Sequence, residues 1–171
     1  MKDVFLVYNS ACFYEIVILS YFMKFTNCDV IFCSLDGSAV RAMEGFSVNA
    51  DMALEEIDKD QVRSFIIPGG GISAIDHDEV KQYLRELNGR KVLIAGICAG
   101  VDILDKAGLL ENIRSTHSTE EDFVSDGNVI TARANAYVDF AIEVAKRLNL
   151  FRDETDLQET IGFWKNYNRL Q

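Results

Sequence analysis

The sequence predicts one α/β domain over residues 1–171, built on a mainly parallel sheet with helices on both faces. Three observations lead there. Short, wholly apolar runs such as Val4-Phe5-Leu6-Val7 and Val92-Leu93-Ile94-Ala95 read as strands buried on both sides. These runs alternate with helix-length segments, the signature of parallel strands joined by crossover helices. Glycine-rich turns follow several runs at the point where strand passes into helix.

In chain order, Val4-Phe5-Leu6-Val7-Tyr8 is the first strand and ends at Asn9-Ser10. A helix is predicted over residues 13–26. Val30-Ile31-Phe32 is the second strand, closed by Asp36-Gly37. Residues 40–43 and 46–48 flank Glu44-Gly45 and predict a hairpin. Phe65-Ile66-Ile67 runs into Pro68 and three glycines, residues 79–87 are helical, and residues 92–95 form the next strand. Past Cys98 a helix is predicted over residues 101–107, stopping at Gly108. Val129-Ile130-Thr131 follows the Asp126-Gly127-Asn128 turn and precedes a helix over residues 136–148. The last helix, residues 155–167, carries Leu157, Ile161 and Trp164 on one stripe.

The first helix is apolar nearly all round, with Phe13, Ile16, Val17, Leu19, Tyr21 and Phe25. One face packs on the sheet and the rest needs other cover, which predicts a two-fold homodimer through this helix.

Charge narrows the partners. Asp and Glu number 27 against 17 Lys and Arg, a net charge of −10, and no basic cluster reverses this locally. Phosphate backbones and anionic lipids are repelled, so neither nucleic acid nor membrane is an expected partner. Residues 13–25 are the most apolar stretch, yet they contain Glu15 and Lys24 and are too short to span a bilayer. With no signal peptide evident, the expected location is the cytoplasm. The four cysteines lack a CxxC pair and are expected to be free thiols. Cys28 and Cys33, five apart in a predicted strand, point to opposite faces and are expected as buried small hydrophobes. No metal or cofactor is expected.

In parallel sheets ligands bind beyond the carboxyl ends of the strands. That edge collects residues 9–12, 68–71 and 96–100. Gly96-Ile97-Cys98-Ala99-Gly100 has the form G-x-C-x-G between a buried strand and a helix, the nucleophile-elbow pattern with cysteine in place of serine. A side chain held up on so tight a turn needs small neighbours two residues to either side. The following helix aims its N-terminus at Cys98, which favours a lowered thiol pKa, and the Ala99 amide is placed to hold an oxyanion. On the motif alone, a structural cysteine packed among glycines remains the alternative.

Pro68-Gly69-Gly70-Gly71 is the second signal. Its glycines let backbone N–H groups approach a ligand, which makes Gly70 and Gly71 candidate oxyanion or ligand donors; a plain tight turn is the alternative. The match of residues 69–74 to the dinucleotide fingerprint is weak, because it follows a late strand and lacks the acidic residue roughly twenty positions on. Glu15 stands among Phe13, Tyr14, Ile16 and Val17. It either complements a helix dipole or aims a carboxylic acid at Cys98. His77, in Asp76-His77-Asp78, reads as a solvated helix entry, whereas His117 can reach the rim that holds Cys98.

Taken together these residues resemble the ThiJ/PfpI superfamily. The landmarks are Glu15, Ile66-Ile67-Pro68-Gly69-Gly70, Ala95-Gly96-Ile97-Cys98-Ala99-Gly100, Ala107-Gly108-Leu109-Leu110 and Thr116-His117, in the expected order. The resemblance implies a flavodoxin-like α/β/α sandwich, usually dimeric. Cys98 would be the reactive thiol, Glu15 its acidic neighbour, and Gly70 and Ala99 the amide donors. Protease-like members place histidine directly after the cysteine, and Ala99 there argues against peptidase activity. The isonitrile hydratase branch has Thr after the cysteine and Asp in the acid position, where this chain has Ala99 and Glu15. Glutamine amidotransferases share the fold but use a His-x-Glu pair, and none follows Cys98.

The function expected is a cysteine-dependent enzyme on a small-molecule substrate. Cys98 attacks an electrophilic carbon, Glu15 shuttles a proton, His117 takes a secondary part, and water releases the product. The alternative is a thiol redox sensor that acts through oxidation of Cys98 without turnover.

Overall fold

The structure, a computed structural model, describes residues 1–169. Its strands are β1 (Lys2–Leu6), β2 (Asp29–Ser34), β3 (Val40–Arg41), β4 (Ser47–Val48), β5 (Met52–Ala53), β6 (Val62–Ile67), β7 (Leu93–Ile97), β8 (Phe123–Asp126) and β9 (Val129–Ala132). Its α-helices are α1 (Val17–Phe25), α2 (Asp78–Gly89), α3 (Gly100–Lys106), α4 (Tyr137–Arg147) and α5 (Glu154–Asn166).

Seven strands form one sheet in the order β5-β2-β1-β6-β7-β9-β8. Every neighbouring pair is parallel except β8 with β9. The apolar runs explain this arrangement. Val4, Phe5, Leu6, Phe65, Ile66, Ile67, Ile94 and Ala95 are all fully buried, so both faces of the central strands are covered. Right-handed crossovers place α1 on one face and α2 and α3 on the other, since the connections run in opposite directions from β1. α4 packs along α1, and α2 packs along α3. The strand order reverses between β1 and β6, which puts the switch point at the carboxyl ends of those two strands. The fold is the predicted α/β sandwich.

Several details depart from expectation. The helix expected over residues 13–26 is two pieces: a 3₁₀ turn, Phe13–Glu15, and then α1, with Ile16 at φ −119° between them. Cys28 precedes β2 instead of lying within it. Cys33 is buried as expected, but Cys28 is half-buried and accepts a hydrogen bond from Arg63 Nη2 at 3.0 Å. β8 had no apolar run to announce it; it is an edge strand that pairs with β9 across Gly127, at φ +56°. The hairpin around Glu44-Gly45 is present as β3 and β4.

α1 buries Leu19, Phe22 and Met23 and leaves Val17, Tyr21 and Phe25 at 51%, 48% and 69% exposure. Part of its outer side is covered by α5, whose Trp164 meets Tyr21 and Phe22 edge-on at ring separations of 5.9 and 5.8 Å. Asp153 caps α5 by accepting the Asp156 N–H. No helix among the described residues is long and apolar enough to cross a membrane.

Candidate active site

Cys98 stands just past β7, and its backbone takes φ +55°. A non-glycine residue in the left-handed region is held at a strain of about 1–3 kcal/mol. The holding bonds are the Cys98 N–H to the Ala132 carbonyl at 2.9 Å and the Val101 N–H to the Cys98 carbonyl at 3.1 Å. Gly100 is sterically required, and Gly96 makes room for Leu104. A β-carbon on Gly96 would stand 2.8 Å from Leu104 Cδ1, and one on Gly100 would run into the Ile67 and Pro68 carbonyls. The turn is therefore a true elbow, with strand and helix in contact through absent side chains.

Glu15 reaches the same place from the 3₁₀ turn that follows β1. It is 1% exposed, and its Oε2 accepts the Gly69 N–H at 2.6 Å. Its Oε1 has no hydrogen-bond partner of good geometry among the described residues. Burial lifts the carboxyl above the ordinary range; the Gly69 amide and the Cys98 and Tyr14 side chains oppose this, and the Glu44 charge adds to it.

The Cys98 thiol is half-buried, and burial pushes it up. The Glu15 charge pushes it further, against a downward pull from the Ala99 amide. The expected lowering by helix amides is thus corrected. α3 has seven residues, and the amide of its N-cap, Ala99, is outweighed by desolvation and by a neighbouring carboxylate.

Gly69 is the residue that sequence reasoning passed over. Its amide fixes Glu15, while its α-carbon faces Cys98 so closely that a β-carbon would stand 2.8 Å from Sγ and 2.9 Å from the Ala99 nitrogen. Tyr8 fixes Gly69 in turn. Its buried hydroxyl donates to the Pro68 carbonyl at 2.7 Å and the Gly69 carbonyl at 2.8 Å. Burial, then the charges of Glu15, Cys12 and Cys98, raises the Tyr8 phenol and keeps it a donor. A tyrosine closing an otherwise apolar strand was the available signal, because its buried tip must find a partner.

The candidate amide donors separate. The Gly71 N–H donates to the Ser10 carbonyl at 2.9 Å and is committed to the scaffold, which corrects its expected place among the donors. Gly70, at φ +112°, has no acceptor for its N–H among the described residues, and neither does Ala99 apart from the Cys98 sulfur.

His117 is brought to the rim but not into the Cys98–Glu15 pair. It is exposed, with Nε2 3.1 Å from Asp102 and Nδ1 3.6 Å from Asp105, both on α3. His77 is exposed at the N-cap of α2, as expected. The β3–β4 hairpin docks on the loop after β1: the Ser10 N–H donates to the Arg41 carbonyl at 2.7 Å, and the Tyr14 N–H to Glu44 at 2.7 Å. This places Glu44 on the rim. Among the described residues no group of three or more His, Cys, Asp or Glu is arranged to hold a metal ion.

A strained cysteine elbow beside a buried carboxyl, on a sheet of this order, defines the class of α/β proteins with a nucleophile-elbow cysteine. The sequence pattern of the DJ-1/PfpI family matches residues 1–147, and the chain belongs to that family. It is similar to the HTH-type transcriptional regulator CdhR of Pseudomonas aeruginosa, 37% identical over 83 residues, 48% of this chain and 24% of the regulator. It is also similar to a deglycase of Pyrococcus abyssi, 25% identical over 58% of this chain and 62% of the deglycase. The chain thus spans less than two thirds of either relative. A DJ-1 superfamily protein of Agrobacterium tumefaciens superposes with a TM-score of 0.87 at 23% identity, covering 98% of this chain and all of that one, which establishes the fold.

Proposed function

We propose that this chain is a cysteine-dependent enzyme that adds the Cys98 sulfur to an electrophilic carbon of a small molecule and completes the reaction with water. The observation that carries this reading is the pairing of a strained, half-buried Cys98 with a carboxyl that is 1% exposed. A thiolate beside a carboxylate is disfavoured, so Cys98 becomes nucleophilic by passing its proton to Glu15, whose proton affinity burial has raised.

When sulfur adds to a carbonyl or amide carbon, the proton on Glu15 passes to the substrate heteroatom, and in an amide it leaves with the departing amine; when sulfur adds to an isonitrile, the proton goes to the same carbon. The Gly70 and Ala99 amides take the developing negative charge, a role supported by the absence of another acceptor for the Gly70 N–H among the described residues. Water then displaces the sulfur, and Cys98 takes back its proton. His117, held by Asp102, serves from the rim. Glu44 and Asp102 make the surroundings negative, which favours an uncharged substrate over an anion. The name of the Pyrococcus abyssi relative, a deglycase, supports a carbonyl-derived substrate. The reading extends to a single domain that works as a homodimer in the cytoplasm.

The test is a turnover screen over glyoxals, amides and isonitriles with Cys98→Ser as the blank. Saturable turnover absent from the blank supports the proposal. Peroxide-dependent oxidation of Cys98 with no turnover of any substrate would favour a redox sensor instead.

A further inference from the structure

The proposed chemistry gives Glu44 no task beyond the exclusion of anions, yet its position is closely fixed. It lies in the turn of the β3–β4 hairpin, where the Gly45 N–H donates to the Ala42 carbonyl at 3.0 Å. The hairpin is clamped to the loop after β1: the Arg41 N–H donates to Asn9 Oδ1 at 2.8 Å, and the Met43 N–H to the Ala11 carbonyl at 2.9 Å. These bonds bring Glu44 to the 3₁₀ turn that carries Glu15, and its Oε1 accepts the Tyr14 N–H at 2.7 Å. The carboxylate is exposed, and no Lys, Arg or His pairs with it among the described residues.

The site around it is negative. After burial, the side-chain charges that raise Glu15, Cys98 and Cys12 are those of acids and thiolates: Glu44 at Glu15, Glu15 and Asp102 at Cys98, and Glu15, Glu44 and Cys98 at Cys12. Such a field concentrates cations near the thiol. Within the site Glu15 Oε1, buried and without a donor, is a further open acceptor.

Aromatic rings stand beside the carboxylate. Tyr14, 46% exposed, meets Tyr137 edge-on at a ring separation of 5.7 Å. Phe46, two residues past Glu44 and also 46% exposed, meets Phe13 at 5.5 Å. Exposed rings next to an unpaired carboxylate suit an organic ammonium, which brings positive charge, N–H or polarised C–H donors and apolar surface together.

We propose that Glu44 is a specificity-determining residue that draws positively charged organic electrophiles to Cys98 and ranks them above neutral ones of the same shape. This rests on the reading of Cys98 as the nucleophile of a small-molecule enzyme and names its substrate class as organic cations. Glu44 acts through its charge and takes no part at the reacting carbon.

The experiment measures the rate at which Cys98 reacts with three methanethiosulfonates that share an ethyl arm and end in trimethylammonium, hydroxyl or sulfonate. Peptide mapping separates Cys98 from the other cysteines, and each rate is divided by that of the same reagent with free 2-mercaptoethanol. Wild type should favour the cation over the neutral reagent by about fivefold, and the neutral over the anion, with both preferences shrinking at high salt. Glu44→Gln keeps an acceptor for the Tyr14 N–H and removes the charge, so most of the cation preference should disappear. Glu159→Gln, on the exposed side of α5, should leave the preference as in wild type. Equal normalised rates for the cation and the neutral reagent, or a preference undiminished in Glu44→Gln, would overturn the proposal; Cys98-dependent turnover would still uphold the enzyme reading. A Cys98 that reacts with none of the three would overturn both.

Discussion

The α-carbon of Gly69 faces Cys98 so closely that a β-carbon there would stand 2.8 Å from the thiol sulfur. Because the Gly69 amide also binds Glu15, one residue sets the spacing of the acid and the thiol. Gly69→Ala should therefore leave a folded protein, destabilised by about 1–3 kcal/mol, with turnover down at least tenfold. Gly89→Ala, where nothing lies within 4 Å of the added carbon, is the control and should leave turnover within twofold. Thermal melts and steady-state rates on both variants check this. Equal activity in the two would separate Gly69 from the site.

Tyr8→Phe removes the hydroxyl that ties the Pro68 and Gly69 carbonyls. Two buried acceptors lose a donor, at about 1–3 kcal/mol of stability. If Tyr8 positions the site through Gly69, kcat should fall more than KM rises, and the pH profile of Cys98 labelling should shift. A loss of stability with an unmoved profile would make Tyr8 merely structural.

How much of this was legible in the sequence depends on distance along the chain. The elbow at Cys98 shows in five consecutive residues, and the apolar company of Glu15 shows within one turn. Both were readable because burial and tight turns leave local marks. Tyr8 and Gly69 act across 61 positions, and no short pattern encodes that pairing. β8 went unread because an edge strand needs no continuous apolar run. Cys28 was misplaced because Arg63, which holds it, comes from a strand 35 positions away. Gly71 looked equivalent to Gly70 until the Ser10 carbonyl claimed its amide.

His117→Ala should lower turnover less than Cys98→Ser does. The imidazole is tied to Asp102 at 3.1 Å and is exposed, so its loss leaves the acid–thiol pair in place. Parallel kinetics on the two variants check this, and equal losses would make His117 the base in place of Glu15.

The exposed Val17, Tyr21 and Phe25 on α1 predict association through this helix. Sedimentation at micromolar concentration should give a dimer. Phe25→Glu should shift it toward monomer without unfolding it, because that side chain is 69% exposed. A wild-type monomer would contradict the assignment.

The central claim is that Glu15 and Cys98 share one proton across neutral pH. Burial raises the carboxyl; burial and the carboxylate raise the thiol. Losing the second proton would leave two adjacent negative charges, so it departs only at high pH. The form with the proton on Glu15 and the charge on sulfur is then a fixed fraction over the intervening range. The direct measurement is the iodoacetamide labelling rate of Cys98 against pH, with peptide mapping to separate it from Cys12, Cys28 and Cys33. Wild type should show a rate nearly flat through neutral pH. Glu15→Leu, left with an ordinary buried thiol and no partner for its proton, should gain about tenfold per pH unit through the same range. Glu15→Asp should fall between them. A wild-type profile that climbs through neutral pH and coincides with that of Glu15→Leu would contradict the shared proton and remove Glu15 from the mechanism.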